Sequence, residues 1–192
     1  MLIVFTGNGK GKTTAALGQA FRTLGRGKRV LMIQFIKGPW KSGEDELVQK
    51  FKIQKSKLKI SEGDLLKGLE NFYDFEIKKL GLGFVGILGD TLPKEAHAKA
   101  AREALAYAQS EIKSGKWNLI ILDEVNVAFS LGLLTAAEIL EAAKDVPLDQ
   151  FVMMTGRGAP QELIDCADLV TEMKEVKHPF NNGELAKISL EF

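Results

Sequence analysis

Short apolar segments recur along the chain, and longer segments with helical spacing separate them. Four of these apolar segments are typical of strands buried on both faces of a parallel sheet. They are Leu2–Phe5, Val30–Ile36, Leu119–Leu122 and Phe151–Met154. A fifth segment, 185–192, alternates apolar and polar residues, which predicts a strand with one exposed face.

The segments between the predicted strands have the spacing of helices. Thr13–Leu24 carries its apolar residues on one face, and Lys94–Lys113 has an alanine stripe at every fourth position. Thr135 and Glu138 are spaced as a capping box, so a further helix is predicted to begin at Thr135. Pro160 is suited to the first turn of a short helix.

Strands that alternate with helices predict an α/β fold with a mostly parallel sheet and helices on both faces. The length of 192 residues fits a single domain over 1–192. The region from about 44 to 90 differs, because a lysine-rich segment is followed by a glycine-rich one. We interpret it as an excursion at the rim of the sheet without a core of its own.

Composition and charge exclude several classes of protein. The formal net charge of +1 gives no reason to expect nucleic acid or an anionic membrane as partner. The single cysteine, Cys166, allows no intramolecular disulfide and no multi-cysteine zinc site. The first residues lack the pattern of a signal peptide, and no apolar run is long enough to span a bilayer. A cytoplasmic protein is therefore expected.

The sequence TGNGKGKTT, residues 6–14, follows the first predicted strand and opens the first predicted helix. It matches the phosphate-binding pattern G-x-x-x-x-G-K-[ST] except at its first position, where Thr6 replaces glycine. This context favours a P-loop NTPase-like (RecA-like) fold. Backbone N–H groups are expected to converge on phosphate oxygens, with Lys12 bridging two phosphates and the Thr13 hydroxyl on Mg²⁺. The predicted nucleotide-binding residues are Gly7, Asn8, Gly9, Lys10, Gly11, Lys12, Thr13 and Thr14.

Two further motifs follow predicted strands. Asp123 and Glu124 end the apolar strand NLIILDE, the position at which P-loop proteins place a carboxylate that holds Mg²⁺. TGRG, residues 155–158, follows the strand FVMM, and Arg157 between two glycines is predicted to contact a phosphate or sugar. Because ligands of open α/β sheets bind at the carboxyl ends of strands, both motifs are predicted to belong to one site.

Some signatures are missing from the sequence. No N-K-x-D guanine signature is present, which argues against a GTPase, and the cysteine count argues against a zinc-bearing nucleoside kinase. His97 and His178 are far apart in the chain and form no metal-binding pair. His97 lies beside the alanine stripe of its predicted helix, so we expect it to be exposed to solvent.

Taken together, the motifs resemble those of the ATP:corrinoid adenosyltransferases, a family that modifies cobalamin and cobyrinic acid diamide. The resemblance covers most of the chain, and four ordered segments carry it: GNGKGKTTAA, QFIKG, LDEVNVAFSLGLL and TGRGAPQELIDCADLVTEMKEVKHPFNNG. In the glycine-rich rim segment, Phe84 stands at a matching place. Members of the family tend to carry tryptophan two residues later, where this chain has Gly86.

The resemblance implies an ATP:cob(I)alamin or cob(I)yrinic acid a,c-diamide adenosyltransferase. Such an enzyme transfers the 5′-deoxyadenosyl group of ATP to the cobalt of a reduced corrinoid and releases triphosphate. The implied cofactor is Mg²⁺, an electron donor such as a reduced flavoprotein is implied as a partner, and a homodimer is the implied assembly.

The resemblance also implies roles for individual residues. Lys12 and the loop stabilise the departing triphosphate, while Thr13 and Glu124 bind the metal with Asp123 behind them. Arg157 contacts the nucleotide. Phe84 packs on the face of the corrin from which the lower axial ligand leaves, which makes Co(II) easier to reduce. Lys12, Glu124 and Phe84 are therefore the predicted catalytic residues.

Two alternatives stay open from the residues alone. A P-loop kinase would transfer the γ-phosphoryl group of the same nucleotide. A non-catalytic module would bind nucleotide and corrinoid without alkylating the cobalt.

Overall fold

The computed structural model describes residues 1–38, 41–57, 74–87, 89–185 and 187. Its centre is a six-stranded sheet in the order β3-β2-β4-β5-β1-β6, and every pairing between described strands is parallel. The predicted α/β fold is confirmed. The predicted terminal strand over 185–192 lies almost entirely outside the described residues.

The strands and helices alternate along most of the chain. The strands are β1 Leu2–Thr6, β2 Val30–Gln34, β3 Phe75–Lys79, β4 Leu119–Asp123, β5 Phe151–Thr155 and β6 Leu169–Glu172. The α-helices are α1 Lys12–Leu24, α2 Gly43–Lys57, α3 Lys94–Lys113, α4 Val125–Ser130, α5 Ala136–Ala143 and α6 Gln161–Cys166, and a 3₁₀ turn spans Pro179–Asn182. No helix in the described part of the chain is long and apolar enough to cross a membrane.

The two faces of the sheet carry separate hydrophobic clusters, as the strand β4 illustrates. Ile120 and Leu122 point to the face covered by the alanine stripe of α3, whereas Leu119 and Ile121 point to the face covered by α1. Because side chains alternate along a strand, a continuous apolar run is what a strand buried on both faces requires. The central strands β2 and β4 are buried at every position.

Predicted helix boundaries agree closely with the structure. Helix α1 begins at Lys12, one residue before the prediction, and α3 has the predicted bounds. At the start of α5, the Thr135 side chain accepts the Glu138 backbone N–H, and the Glu138 side chain accepts the Thr135 backbone N–H. This reciprocal pair is the predicted capping box. A short helix follows Pro160, also as predicted.

The sequence did not predict α2 or the edge strands β3 and β6. Strand β3 reads FEIKK and β6 reads LVTE, so neither is a continuous apolar run. Both lie at the edges of the sheet that the described residues form, where a strand has one described neighbour and polar side chains are common. The described part of the region from about 44 to 90 therefore contains helix α2 and the edge strand β3.

The expectation that His97 is exposed was wrong. Its side chain is only 3% exposed, and its Nε2 lies 3.0 Å from Oδ2 of Asp90. Helical spacing places His97 on the same face of α3 as the buried residues Ala100, Ala101 and Ala104. A histidine can be buried on such a face because a carboxylate partner satisfies its ring nitrogen.

All carboxyl ends of the parallel strands meet at one edge of the sheet. The segments that leave this edge are 7–11 after β1, 35–38 after β2, 80–87 after β3, residue 124 after β4, 156–160 after β5 and 173–178 after β6. The segment after β3 is fixed to its neighbour, since the backbone N–H groups of Leu80 and Gly81 both donate to Gln34 O at 3.1 Å. Every motif predicted to bind a ligand begins at this edge.

Gly81 and Gly18 form a matched pair for testing this packing. A Cβ at Gly81 would lie 2.1 Å from Phe35 O, whereas a Cβ at Gly18 on α1 meets nothing within 4 Å. Gly81→Ala should lower the free energy of unfolding by about 1–3 kcal/mol, because the backbones must separate. Gly18→Ala should raise it by about 0.5–1 kcal/mol through helix propensity.

Denaturant unfolding of both variants checks this prediction. If Gly81→Ala matches the unmodified protein, the close approach between residues 35 and 81 does not occur.

Candidate functional site

The predicted phosphate-binding loop, residues 6–14, packs against the segment that continues β6. Gly7 has a φ of 93° and Gly11 a φ of 113°, a region that favours glycine. A Cβ at Gly7 would lie 2.4 Å from Met173 O, and one at Gly9 would lie 2.7 Å from the same atom. The Gly9 N–H donates to Met173 O at 2.6 Å. In this structure the Gly9 amide thus serves to hold the loop against the sheet rather than facing the interior of the loop.

Lys12 lies inside the loop that it terminates. Its side chain is buried, and Nζ donates to Gly7 O at 2.8 Å and to Gly9 O at 2.6 Å. Burial lowers the pKa of Lys12, the charge of Glu124 raises it, and Arg157 lowers it further. The ammonium therefore spans the inner side of the loop, where phosphate oxygens can replace the two carbonyls as its acceptors.

Asp123 is the most heavily hydrogen-bonded side chain of the site. Its Oδ1 accepts the hydroxyls of Thr13 and Thr155, each at 2.8 Å, and its Oδ2 accepts Gln34 Nε2 at 3.1 Å. Complete burial raises the pKa of Asp123, and the charge of Lys37 and the three hydrogen bonds oppose that rise. All three neighbours donate, so the geometry is that of a carboxylate acceptor.

Glu124 occupies a strained backbone conformation at the N-cap of α4. Its φ of 61° makes it the single non-glycine residue with positive φ in the described part of the chain. The strain is consistent with a functional position, and the Thr155 hydroxyl stabilises it by accepting the Glu124 N–H at 3.0 Å. Burial, followed by the charge of Asp123, raises the pKa of Glu124 to about 7, against the opposing effect of Lys12.

These carboxyl and hydroxyl groups fit a divalent cation such as Mg²⁺. Oε2 of Glu124 is buried and has no hydrogen-bond partner among the described residues. The described residues contain no group of three His, Cys, Asp or Glu side chains that could hold a metal by themselves. Mg²⁺ is commonly bound through one or two carboxylates together with substrate phosphates, so the donors near Thr13 and Asp123 suit that ion.

The turn after β5 approaches Glu124 closely because it contains glycine. Gly156 has a φ of 129°, and a Cβ there would lie 3.1 Å from Oε2 of Glu124. Asn126 holds the turn from below, since its Nδ2 donates to Gly156 O at 3.3 Å. Arg157 is exposed at the tip of the turn, and its charge acts on both Lys12 and Glu124.

Phe84 lies in the segment that follows β3. Its side chain is 41% exposed, while the adjacent Val85 packs against the core. The structure thus brings Lys12, Thr13, Asp123 and Glu124 into direct electrostatic or hydrogen-bond contact, and it places Arg157 close enough to influence them. Phe84 belongs to the same edge of the sheet, in the segment that follows β3.

Motif reasoning did not identify Gln34, Thr155 or Lys37 as site residues. Gln34 and Thr155 donate to Asp123, and the charge of Lys37 lowers the pKa of both carboxyl groups of the site. Lys37 and Thr155 directly follow predicted strands, whereas Gln34 lies inside the strand predicted over Val30–Ile36 and ends β2 only in the structure. The position after a strand was the available signal for Lys37 and Thr155. A polar residue within an otherwise apolar run could have identified Gln34.

Comparison with known proteins covers the full chain. The family described as ATP:corrinoid adenosyltransferase BtuR/CobO/CobP matches residues 1–192. A corrinoid adenosyltransferase of Escherichia coli (strain K12) is 33% identical over 192 residues, which are 100% of this chain and 85% of that protein. A corrinoid adenosyltransferase of Sinorhizobium sp is 35% identical over 193 residues, covering 100% of this chain and 80% of that protein.

The raised pKa of Glu124 predicts a pH-dependent difference in stability. A carboxyl group whose pKa rises from 4.5 to about 7 on folding stabilises the fold most below 4.5. That contribution is lost as the pH rises through about 7. Glu124→Gln removes the titration. Without nucleotide or Mg²⁺, its stability relative to the unmodified protein should therefore rise over this interval by about 2–3 kcal/mol.

Urea unfolding at a series of pH values measures the difference. Glu162→Gln, on the exposed surface of α6, controls for the loss of one acidic residue. A stability difference that does not change with pH would contradict the burial of the Glu124 carboxyl group.

Proposed function

The chain belongs to the ATP:corrinoid adenosyltransferase family, and we propose that it transfers the 5′-deoxyadenosyl group of ATP to the cobalt of a reduced corrinoid and releases triphosphate. Cob(I)alamin and cob(I)yrinic acid a,c-diamide are the proposed corrinoid substrates. Membership of the family does not favour the two alternatives, a γ-phosphoryl kinase and a non-catalytic binding module.

One structural observation carries the proposal: the phosphate-binding site and the rim segment with Phe84 are joined through Gln34. The side chain of Gln34 donates to Asp123 inside the site. Its backbone carbonyl accepts the N–H groups of Leu80 and Gly81, at the start of the rim segment. A triphosphate at Lys12 and a corrinoid at Phe84 would therefore lie on adjacent parts of one sheet edge, as alkyl transfer between them requires.

The chemistry requires little from the side chains beyond position and charge. Co(I) supplies an electron pair that forms the cobalt–carbon bond to C5′, while the C5′–O bond breaks and triphosphate departs with the bonding pair. No proton is removed from the nucleophile, so no general base is needed. Lys12 and the N–H groups at the start of α1 would stabilise negative charge on the departing triphosphate.

Glu124 and the Thr13 hydroxyl would hold a Mg²⁺ ion, with Asp123 orienting the hydroxyl through its 2.8 Å hydrogen bond. The ion supplies positive charge next to the triphosphate. Arg157, at the tip of the turn after β5, would contact the nucleotide. Asp123 accepts three hydrogen bonds, so its proposed role is to hold these groups in place.

The proposed partners follow from the same reaction. ATP and a reduced corrinoid are the substrates, and an electron donor such as a reduced flavoprotein would bring cobalt to Co(I). A cytoplasmic homodimer is the proposed working form.

Identification of the phosphorus product tests the proposed function. The protein is incubated with Mg-ATP and chemically reduced cobalamin, and the products are separated. Triphosphate and adenosylcobalamin in equal amounts are expected. Release of ADP would instead indicate a kinase, and unchanged ATP with bound cobalamin would indicate a binding module.

Lys12→Ala should remove nearly all turnover. Loss of a buried positive charge from the triphosphate site should lower the rate about a thousandfold. Lys99→Ala, at an exposed position on α3, is the matched control for loss of one lysine. Steady-state triphosphate release measures both variants, and activity of Lys12→Ala within about tenfold of the unmodified protein would contradict the assigned role of the loop.

Phe84→Ala should separate reduction of cobalt from alkyl transfer. If the ring displaces the lower axial ligand, the variant should be much slower with Co(II) corrinoid and a mild reductant. It should be affected much less when Co(I) is generated chemically beforehand, because the nucleophile then already exists. Gly86 stands where the family tends to have tryptophan, so no second aromatic residue shares this task at that position.

The comparison of the two assays decides the role of Phe84. Equal losses in both, together with a lower melting temperature, would indicate that the ring only packs against the rim.

A further inference from the structure

The segment that carries Phe84 is attached to the rest of the molecule at both of its ends. We call it the rim loop, residues 80–87 and 89–92. Its first end is held at β2, because Leu80 and Gly81 donate to Gln34 O and Gly81 leaves no space for a side chain next to Phe35 O. Its second end is held by a side chain of the loop itself, Asp90.

Asp90 connects the rim loop to helix α3. Oδ2 of Asp90 accepts the Gly86 N–H at 2.8 Å and also lies 3.0 Å from Nε2 of His97, while Oδ1 accepts the Leu92 N–H at 3.1 Å. A carboxylate accepts, so His97 Nε2 carries the proton and donates. The N–H groups of Gly86 and Leu92 hold the pKa of Asp90 below its ordinary range, with a smaller contribution from His97.

His97 is buried and the Asp90 side chain is mostly covered, although the loop around them is open. The side chains of His97 and Asp90 are 3% and 9% exposed, whereas Phe84 and Ile87 are 41% and 59% exposed. Gly86 and Gly89 have φ values of 71° and 82°, a backbone conformation that residues other than glycine seldom adopt. A polar contact on the buried face of α3 therefore determines the path of an exposed loop.

We infer that Asp90 and His97 form an anchor that fixes the rim loop on α3 and thereby positions Phe84 against the corrinoid. Both are positioning residues, since neither is expected to touch the substrate. The inference rests on the proposed function, because it assigns the pair to the corrinoid side of the reaction. With the first end of the loop fixed at Gln34, the anchor leaves the segment from 82 to 86 between two attachment points, and Phe84 lies at its middle.

Hydrogen exchange of the unliganded protein tests the anchor without reference to activity. Asp90→Ala should speed exchange of the Gly86 and Leu92 amides, because it removes the carboxylate that accepts them. His97→Leu should also speed it, because the carboxylate loses its hydrogen bond to the ring of His97. Leu105→Ala is the matched control, since Leu105 is a buried core residue of the same helix and its loss lowers stability without touching the anchor. Exchange in the rim loop equal to that of the control would overturn the anchor.

Kinetic measurements test whether the anchor affects the function of Phe84. His97→Leu should slow adenosylation about tenfold with cob(II)alamin and a mild reductant, and much less with preformed cob(I)alamin. The KM for ATP should stay within about twofold, because the phosphate loop is untouched. His97→Gln should restore most of the rate, since its amide N–H can replace the donor at Nε2.

The rates of a double variant separate positioning from a general loss of stability. If the anchor acts through Phe84, adding His97→Leu to Phe84→Ala should cause little further loss in the cob(II)alamin assay. Fully multiplicative losses would overturn the inference, as would equal losses in the two cobalamin assays. These outcomes differ from failure of the proposed function, in which the unmodified protein itself releases no triphosphate with cob(I)alamin; that result would overturn both.

Discussion

The arrangement of the site depends on one buried carboxyl group, Asp123. It accepts hydrogen bonds from three elements: Thr13 at the start of α1, Gln34 at the end of β2 and Thr155 at the end of β5. The register of the sheet makes this possible, because Asp123 is the pairing partner of Gln34 across β2 and β4. A completely buried charge is costly unless its oxygens are satisfied, so the three donors and the carboxyl group must be in place together.

The next residue is shaped by the same constraint. Thr155 donates its hydroxyl hydrogen to Asp123 and accepts the N–H of Glu124, which holds Glu124 in its left-handed conformation. The Oε2 atom of Glu124 lies buried without a hydrogen-bond partner among the described residues. The adjacent carboxyl groups of Asp123 and Glu124 therefore have different surroundings. Asp123 is held by three hydrogen-bond donors, whereas Glu124 has a raised pKa and an oxygen, Oε2, without a hydrogen-bond partner among the described residues.

The sequence predicted the buried part of this arrangement better than its edges. Continuous apolar runs identified β1, β2, β4 and β5, because strands covered on both faces need apolar side chains at every position. Strand β3 is not a continuous apolar run, so this pattern did not predict it. The pattern also contains no information about the hydrogen bonds that Gln34 makes to β4 and to the segment after β3. The motif at 6–14 predicted where Lys12 lies, but it contains no information about Met173, whose backbone contact depends on a strand more than 150 residues away. His97 was misjudged for a similar reason: its partner Asp90 lies in a loop whose path no local pattern encodes.

The threonine that replaces glycine at the first position of the phosphate-loop pattern has a structural explanation in these contacts. Thr6 lies in β1 with an ordinary extended backbone, so glycine is not required there. Its hydroxyl accepts the Ala159 N–H at 3.2 Å, just beyond the turn that bears Arg157, and its carbonyl accepts the Met173 N–H at 2.8 Å. Glycine would keep the second bond and lose the first. Thr6 therefore links the beginning of the predicted phosphate loop to the segment that follows Arg157, so that one residue connects the two groups that are proposed to bind the nucleotide.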